Sequence, residues 1–72
     1  MKKKRSSILR VFALSVRTRR KALGWSQEVL AEKADLNWSY VSRLERQLVN
    51  ISLTNAERIA RGLGCDLHEM LK

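Results

Sequence analysis

The apolar positions at the start of the chain recur with the period of a helix. They are spaced three, four or seven residues apart, and they are Ile8, Leu9, Phe12, Ala13, Val16 and Leu23. Side chains at these spacings share one helix face, so this segment is expected to bury a single apolar stripe. Gly24 suits the position just after such a helix, where the backbone turns left-handed.

Two short helices follow, and each has its own start signal. Ser26 is placed to cap a helix over 27–34, because its hydroxyl can accept from a free amide of the first turn. Asp35 occupies the stop position, where Asp tolerates the left-handed region better than most residues. Asn37 is placed to cap a second helix over 38–46. A turn of only three residues therefore separates the two helices.

The rest of the chain predicts two more helices. Ser52 is placed to cap a helix over 53–63, and Gly64 to end it. Asp66 and Glu69 have the spacing of a capping box, which predicts a last short helix. No β-strand pattern occurs. The sequence therefore predicts an all-α fold, a compact bundle of five short helices.

The positive charge is concentrated at the start of the chain. The formal net charge is +8, and the first 24 residues carry nine basic side chains and no acidic one. Such an excess favours a polyanionic partner: DNA, RNA or an anionic membrane surface. We expect residues 1–6 to form a flexible basic tail and residues 7–72 to form a single domain. For Lys2–Arg5, a tail that only aids solubility is the alternative.

The composition argues against several other classes of protein. Cys65 is the only cysteine, so no intramolecular disulfide forms and a reducing, cytoplasmic setting is expected. No apolar run approaches the ~20 residues of a membrane span, and no membrane partner is expected. Cys65 and His68 lie three residues apart, but two ligands do not make a structural zinc site. Without a paired nucleophile or a glycine-rich phosphate loop, we expect neither catalysis nor a cofactor.

The two middle helices have the spacing of a helix-turn-helix. Ala31 is small, which lets the second helix cross the first closely, and Val41 and Leu44 are expected to seat the second helix on the core. A helix mounted in this way can enter the ~12 Å major groove with its N-terminal side chains at the base edges. The side chains left facing outward are Trp38, Ser39, Ser42 and Arg43.

A set of spaced residues carries a resemblance to a known family. They are Arg17, Arg20, Gly24, Ser26, Gln27, Leu30, Ala31, Val41, Ser42, Glu45, Ile59, Ala60, Leu63 and Gly64. Over about residues 12–71 the chain resembles the phage-repressor or Cro-type helix-turn-helix family, also called the xenobiotic-response-element family. The resemblance implies a lambda-repressor-like DNA-binding domain. The segment 50–52 and the small size are most similar to controller proteins of restriction-modification systems. Two positions depart from the family pattern, because Asp35 and Gln47 stand where the family usually has glycine.

Base contacts are expected from the second helix of the motif. Arg43 is the best candidate, because a bidentate contact of arginine with guanine is the commonest specific pairing. The base-reading candidates are Arg43, Ser39, Trp38, Ser42 and Asn37. Trp38 either meets the DNA, on a sugar or a thymine methyl, or covers a neighbouring side chain. Asn37 is also a cap, and Ser42 is also compatible with packing between helices.

Contacts with the DNA backbone are expected around the helix that begins at Gln27. Its free amides point outward, and the family's glutamine at this position binds a phosphate. The phosphate-binding candidates are Gln27, Ser26, Tyr40, Arg46, Asn50, Arg19 and Lys21. Tyr40 is equally compatible with a half-buried core position. The resemblance also implies that Arg20 and Glu45 form a structural ion pair beneath the motif.

These expectations point to a sequence-specific transcriptional regulator that binds a palindromic operator in double-stranded DNA as a homodimer. A single motif makes few base contacts, and pairing doubles the site. The interface candidates are Val49, Ile51, Leu67, Met70 and Leu71, of which Leu67 and Leu71 also suit the core. The alternative is an antitoxin-type module that binds a protein partner and its own promoter. RNA or membrane binding through the basic first helix would explain the charge but not the motif.

Overall fold

The computed structural model describes residues 7–72, which form helices connected by short loops. In order, they form α1 (Ser7–Ala22), α2 (Gln27–Ala34), α3 (Trp38–Glu45), α4 (Leu53–Leu63) and a C-terminal 3-10 helix (Leu67–Leu71). No strand occurs over this range, and the all-helical prediction is confirmed. None of these helices is long and apolar enough to cross a bilayer. The predicted basic tail, residues 1–6, lies outside the described residues.

The first helix, α1, buries the middle of its predicted apolar stripe. Phe12, Ala13 and Val16 are 1%, 1% and 0% exposed. Ile8 and Leu23 are 57% and 47% exposed, so the predicted stripe is wrong at its two ends. Ile8 lies in the first turn of α1, and Leu23 follows its last helical residue.

The second helix, α2, has the caps that its sequence predicts. The Oγ of Ser26 accepts a hydrogen bond from the Val29 N–H at 3.2 Å. Asp35 adopts φ = +58°, and its N–H donates to the carbonyls of Ala31 and Glu32. One left-handed residue thus satisfies the end of α2 and turns the chain toward α3.

The third helix, α3, differs from its prediction at both ends. Asn37 stands at the N-cap position, but its side chain makes no capping hydrogen bond, so the predicted capping role is wrong. The helix ends at Glu45, one residue earlier than predicted. Gln47 then adopts φ = +61°, where the left-handed region costs a non-glycine residue about 1–2 kcal/mol. The turn after α3 therefore forms with glutamine in a conformation that favours glycine.

The fourth helix, α4, approaches α2 closely at Gly62. A Cβ on Gly62 would lie 3.2 Å from the backbone nitrogen of Ala34, which is tighter than an ordinary van der Waals contact. The Oγ of Ser52 caps α4 by accepting from the Asn55 N–H at 3.1 Å. Gly64 ends the helix at φ = +80°, as predicted. Close packing of α2 on α4 fixes the first half of the motif to the body of the protein.

The predicted last helix is a 3-10 helix that closes the core against α1 and α4. Met70 is only 1% exposed and belongs to the core, so its expected place at a dimer interface is wrong. Its unbranched thioether side chain suits an irregular gap between helices. Leu67 and Leu71 are partly buried against the same core.

Candidate nucleic-acid interface

One face of α3 is seated on the core and the other is open. Val41 and Leu44 are 0% exposed, and Ala31 of α2 is 3% exposed. A small side chain at a helix crossing lets the two axes approach closely. The inner side chains of α3 thus pack on the core. The start of α3 and the preceding Asn37 lie at the surface.

Four of the five predicted base-reading residues are exposed. Asn37, Trp38, Ser39 and Arg43 lie on the surface, whereas Ser42 is half-buried. Ser39 and Arg43 are four residues apart on α3 and therefore share one face. Among the described residues, Arg43 forms no ion pair with an acid. Its guanidinium is available to an external ligand, and this face of α3 is the centre of the candidate site.

Beneath this face, Arg20 of α1 and Glu45 of α3 form a buried, bidentate ion pair. The Arg20 Nε donates to Glu45 Oε2 at 2.7 Å and its Nη2 donates to Oε1 at 3.0 Å. The two side chains are 10% and 4% exposed. The hydrogen bond to Glu45 raises the pKa of the Arg20 guanidinium, although burial acts in the opposite direction. A third hydrogen bond, from Arg20 Nη1 to the Trp25 carbonyl at 2.8 Å, ties in the loop before α2.

The same carboxylate orients the predicted phosphate ligand Gln27. The Gln27 amide nitrogen donates to Glu45 Oε1 at 3.1 Å, which uses one of its two N–H groups. The second N–H is available beside the outward-pointing amides of the α2 N-terminus, an arrangement that suits an anion. The neighbouring Ser26 is exposed, and its hydroxyl can still donate after accepting from Val29. Gln27 therefore has a fixed orientation with donor capacity left over.

Tyr40 occupies an intermediate position between core and surface. The residue is half-buried, and its hydroxyl is buried without a hydrogen-bond partner among the described residues. A buried hydroxyl without a partner costs about 1–3 kcal/mol. The half-buried position agrees with the core alternative, and the phosphate contact of the Tyr40 hydroxyl stays a prediction.

The other predicted phosphate ligands differ in how freely they can reach outward. Lys21, Arg46 and Asn50 are exposed. Arg19 is half-buried, and its Nε donates to the Ser15 Oγ at 3.2 Å, one turn earlier on α1. This hydrogen bond holds the Arg19 side chain along its own helix, so Arg19 is a weaker candidate than the exposed three.

An apolar groove of about 220 Å³ lies between the start of α1, the loop before α4, the first turns of α4 and the 3-10 helix, and Asn50 is one of its lining residues. Its lining residues are Ile8, Leu9, Phe12, Asn50, Ile51, Ser52, Leu53, Ala56, Leu67 and Leu71. Three predicted interface residues, Ile51, Leu67 and Leu71, thus meet in one groove. Val49 lies outside this lining and is partly buried against the core.

Leu53 is a groove residue that sequence reasoning missed. Its side chain is 79% exposed, the highest value among the large hydrophobic residues that the structure describes. Leu53 directly follows the cap of α4 and lies three residues before Ala56 and seven before Ala60, so helix period places it beside their apolar face. An apolar residue in the first turn that extends the spacing of Ala56 and Ala60 was the signal that could have identified it.

Comparison with known sequences gives a family. The sequence profile of a family described as Helix-turn-helix matches residues 16–70. A hypothetical transcription factor of Neisseria meningitidis serogroup B is 43% identical over 61 residues, 85% of this chain and 58% of the relative. Control protein C.BamHI of Bacillus amyloliquefaciens is 44% identical over 46 residues, 64% of this chain and 57% of that protein. The chain spans less than two thirds of the length of either relative.

Solved structures resemble the whole described fold. The crystal structure of a hypothetical transcription factor from Neisseria superposes with a TM-score of 0.88 at 35% identity, covering 100% of this chain and 85% of that one. The restriction-modification controller protein C.Esp1396I, solved as a tetramer with its natural 35 base-pair operator, gives a TM-score of 0.85 at 31% identity, covering 93% of this chain and 92% of that one. Together with the geometry of α2 and α3, these matches show that the chain belongs to the Cro-type family of helix-turn-helix DNA-binding proteins, whose members include restriction-modification controllers.

Proposed function

We propose that this chain is a sequence-specific transcriptional regulator of the restriction-modification controller type, which binds a palindromic operator as a homodimer. The observation that carries the proposal is that α3 has one buried face and one exposed face. Its inner residues Val41 and Leu44 are fully buried, while Trp38, Ser39 and Arg43 remain exposed on a free helix face. A helix presented in this way fits the major groove, where base pairs are distinguishable by their edges.

In this proposal, residues beneath and beside α3 fix its position on the DNA. Gln27 and the α2 amides take a backbone phosphate, with the Glu45 carboxylate holding Gln27 in place. Arg46 and Asn50, both exposed and C-terminal to α3, take phosphates on its other side. Arg43 then reads a guanine. Phosphate contacts set the register of the protein, and base contacts supply the sequence preference.

We propose that the apolar groove is the dimer interface. It is lined within the described residues by apolar and uncharged polar side chains, with Ile8 and Leu53 exposed by 57% and 79%. A second copy of the chain would bury these side chains, each worth about 1.5–3 kcal/mol when fully removed from water. The Cα atoms span 38 × 24 × 22 Å, which is of the same order as the ~34 Å between recognition helices one DNA turn apart. DNA-bound C.Esp1396I is a tetramer, which supports self-association as a property of such proteins.

Selection of bound sequences from a random DNA pool tests the DNA-binding proposal. We expect an inverted repeat whose half-sites are centred about 10 base pairs apart, or a multiple of one helical turn. A pool that yields no preferred sequence would contradict a specific regulator. A preferred sequence without symmetry would contradict the palindromic dimer and leave specific DNA binding intact.

Sedimentation of two charge-introducing variants tests the interface. Leu53→Glu places a carboxylate in the groove, and we expect dissociation to monomers at concentrations where the unchanged protein is a dimer. Leu14→Glu is the matched control, because Leu14 is 64% exposed on α1 but does not line the groove. Equal association of both variants would place the interface elsewhere.

The antitoxin-type alternative has no comparable support. The relatives and structures named above are a hypothetical transcription factor and controller proteins. No feature of α1 to α4 favours a protein ligand on the open face of α3 over DNA, and we therefore propose one function.

A further inference from the structure

Trp38 is unusual among the exposed residues of α3. It is the first residue of the helix, and its side chain is 53% exposed. The structure gives its indole no hydrogen bond within the described residues, and the cation–π contact found there joins Lys33 to Trp25 instead. Val41 and Leu44 already fill the inner face of α3. The Trp38 ring is therefore a large apolar surface on the first turn of α3, the turn that enters the DNA major groove in the proposed complex.

The polar atom of the indole is poorly suited to selecting a base. Trp38 offers one N–H donor and no acceptor. In the major groove, A·T pairs present the adenine N7 and thymine O4 acceptors, and G·C pairs present the guanine N7 and O6 acceptors. A single donor therefore finds an acceptor on either kind of pair, and any discrimination must come from the apolar face of the ring.

The apolar feature of the major groove is a methyl group. Thymine carries it at C5, and no other unmodified base has a counterpart on that edge. Cytosine methylated at C5 presents the same group at the same position of the ring. An aromatic face can cover a methyl group by ordinary van der Waals contact and remove it from water.

We propose that Trp38 recognises the C5-methyl group of a pyrimidine in the major groove, so that affinity for the operator depends on that methyl group. The inference rests on the proposed function, because it names what one residue of the DNA-reading face selects. It also makes binding responsive to cytosine methylation. Where the pyrimidine facing Trp38 is cytosine, the 5-methylated duplex binds more tightly than the unmethylated one. Ser39, the next exposed residue, is short and leaves room for the ring.

Single-group changes in the DNA test this directly. Each thymine of the selected operator is replaced in turn by deoxyuridine, which removes only the methyl group. We expect about a fourfold loss of affinity at one thymine in each half-site, since burial of one such carbon group contributes about 0.8 kcal/mol. A second pair of duplexes carries cytosine or 5-methylcytosine at that position, and the methylated one should bind about fourfold more tightly.

Protein variants then assign the effect to Trp38. Trp38→Ala should bind the thymine and deoxyuridine duplexes equally, while Trp38→Phe should retain part of the difference. Because the side chain is exposed, neither variant should disturb the fold, which circular dichroism checks. Arg43→Ala should bind more weakly but keep the fourfold ratio. Leu23→Ala, a control at a 47% exposed apolar residue beyond α1, should also keep it.

The outcomes separate the two proposals. Specific binding that is unaffected by deoxyuridine at every position would overturn methyl recognition and leave the regulator intact; a ring stacked on a sugar gives this result. A methyl effect that persists in Trp38→Ala would assign the contact to another residue and overturn the inference. Failure to select any DNA sequence would overturn the proposed function, and methyl recognition with it.

Discussion

Arg20 on α1 and Glu45 at the end of α3 are 25 residues apart in sequence and are joined by two parallel hydrogen bonds of 2.7 and 3.0 Å. The same carboxylate accepts from Gln27 at 3.1 Å, so one buried acid connects α1, the start of α2 and α3. This connection links α3 to the start of α2, the two helices of the motif. Stability and DNA binding should therefore respond together when the pair is broken.

Replacing Glu45 should destabilise the domain strongly. Glu45→Ala leaves the Arg20 guanidinium buried without its partner, which can cost about 3–5 kcal/mol. About 1 kcal/mol shifts the melting temperature of a domain this size by roughly 4–8 °C. The melting temperature of Glu45→Ala should therefore fall by more than about 10 °C. Thermal unfolding followed by circular dichroism measures it.

Two further variants keep this prediction testable if Glu45→Ala fails to fold. Arg20→Met combined with Glu45→Leu removes both charges and should recover much of the stability. Glu57→Ala breaks the exposed pair with Arg61, whose atoms are 4.0 Å apart, and should cost no more than about 0.5 kcal/mol. Equal melting temperatures for Glu45→Ala and Glu57→Ala would contradict the role of the buried pair.

Gln47→Gly should stabilise the protein. Gln47 has φ = +61°, and glycine adopts this region without the steric penalty. After the larger entropy of unfolded glycine is deducted, a gain of about 0.5–1 kcal/mol in the free energy of unfolding is expected. Urea titration measures it, with Asn50→Gly as a control at a residue that lacks positive φ. A loss of stability at position 47 would mean that side-chain contacts of Gln47 outweigh the backbone strain.

Arg43→Ala should weaken binding to the selected operator more than binding to random DNA. If Arg43 reads a guanine, about 1–3 kcal/mol of binding free energy is lost on the operator alone. Competition titrations with both DNAs at one salt concentration measure the difference. Equal losses on the two DNAs would reassign Arg43 to the phosphates.

Tyr40→Phe should separate stability from DNA binding. In the free protein the Tyr40 hydroxyl is buried without a partner among the described residues, so its removal should leave the melting temperature unchanged or raise it. If the hydroxyl donates to a phosphate in the complex, affinity should fall by a similar factor on all sequences. A lower melting temperature with unchanged affinity would show that the hydroxyl serves the folded protein alone.

Deletion of Met1–Arg5 should reduce affinity about equally on every DNA sequence. The segment carries four basic side chains, and each phosphate neutralised contributes about 0.9 to the slope of log affinity against log salt. The truncated protein should therefore show a shallower slope in titrations between 50 and 200 mM salt, roughly the range over which such effects are large. An identical slope would mean that the segment does not contact DNA.

The sequence alone determined most of the local structure of this protein. Cap and stop residues predicted the bounds of α2 and α4, and Ser26, Ser52 and Gly64 act at their ends as expected. These features depend on residues only a few positions apart, so a short stretch of sequence is enough to predict them. The outward face of α3 was predictable for the same reason, because one helix period decides which side chains point away from the core.

Only the tertiary structure decided the features that join distant segments. Met70 is in the core because the 3-10 helix packs on α1, and Leu53 lines a groove because three separate elements meet there. The hydrogen bond from Gln27 to Glu45 depends on how α2 crosses α3, and the unpaired Tyr40 hydroxyl depends on what surrounds it. Helix period gives the face on which a side chain lies, but its partner is set by the packing of helices far apart in sequence.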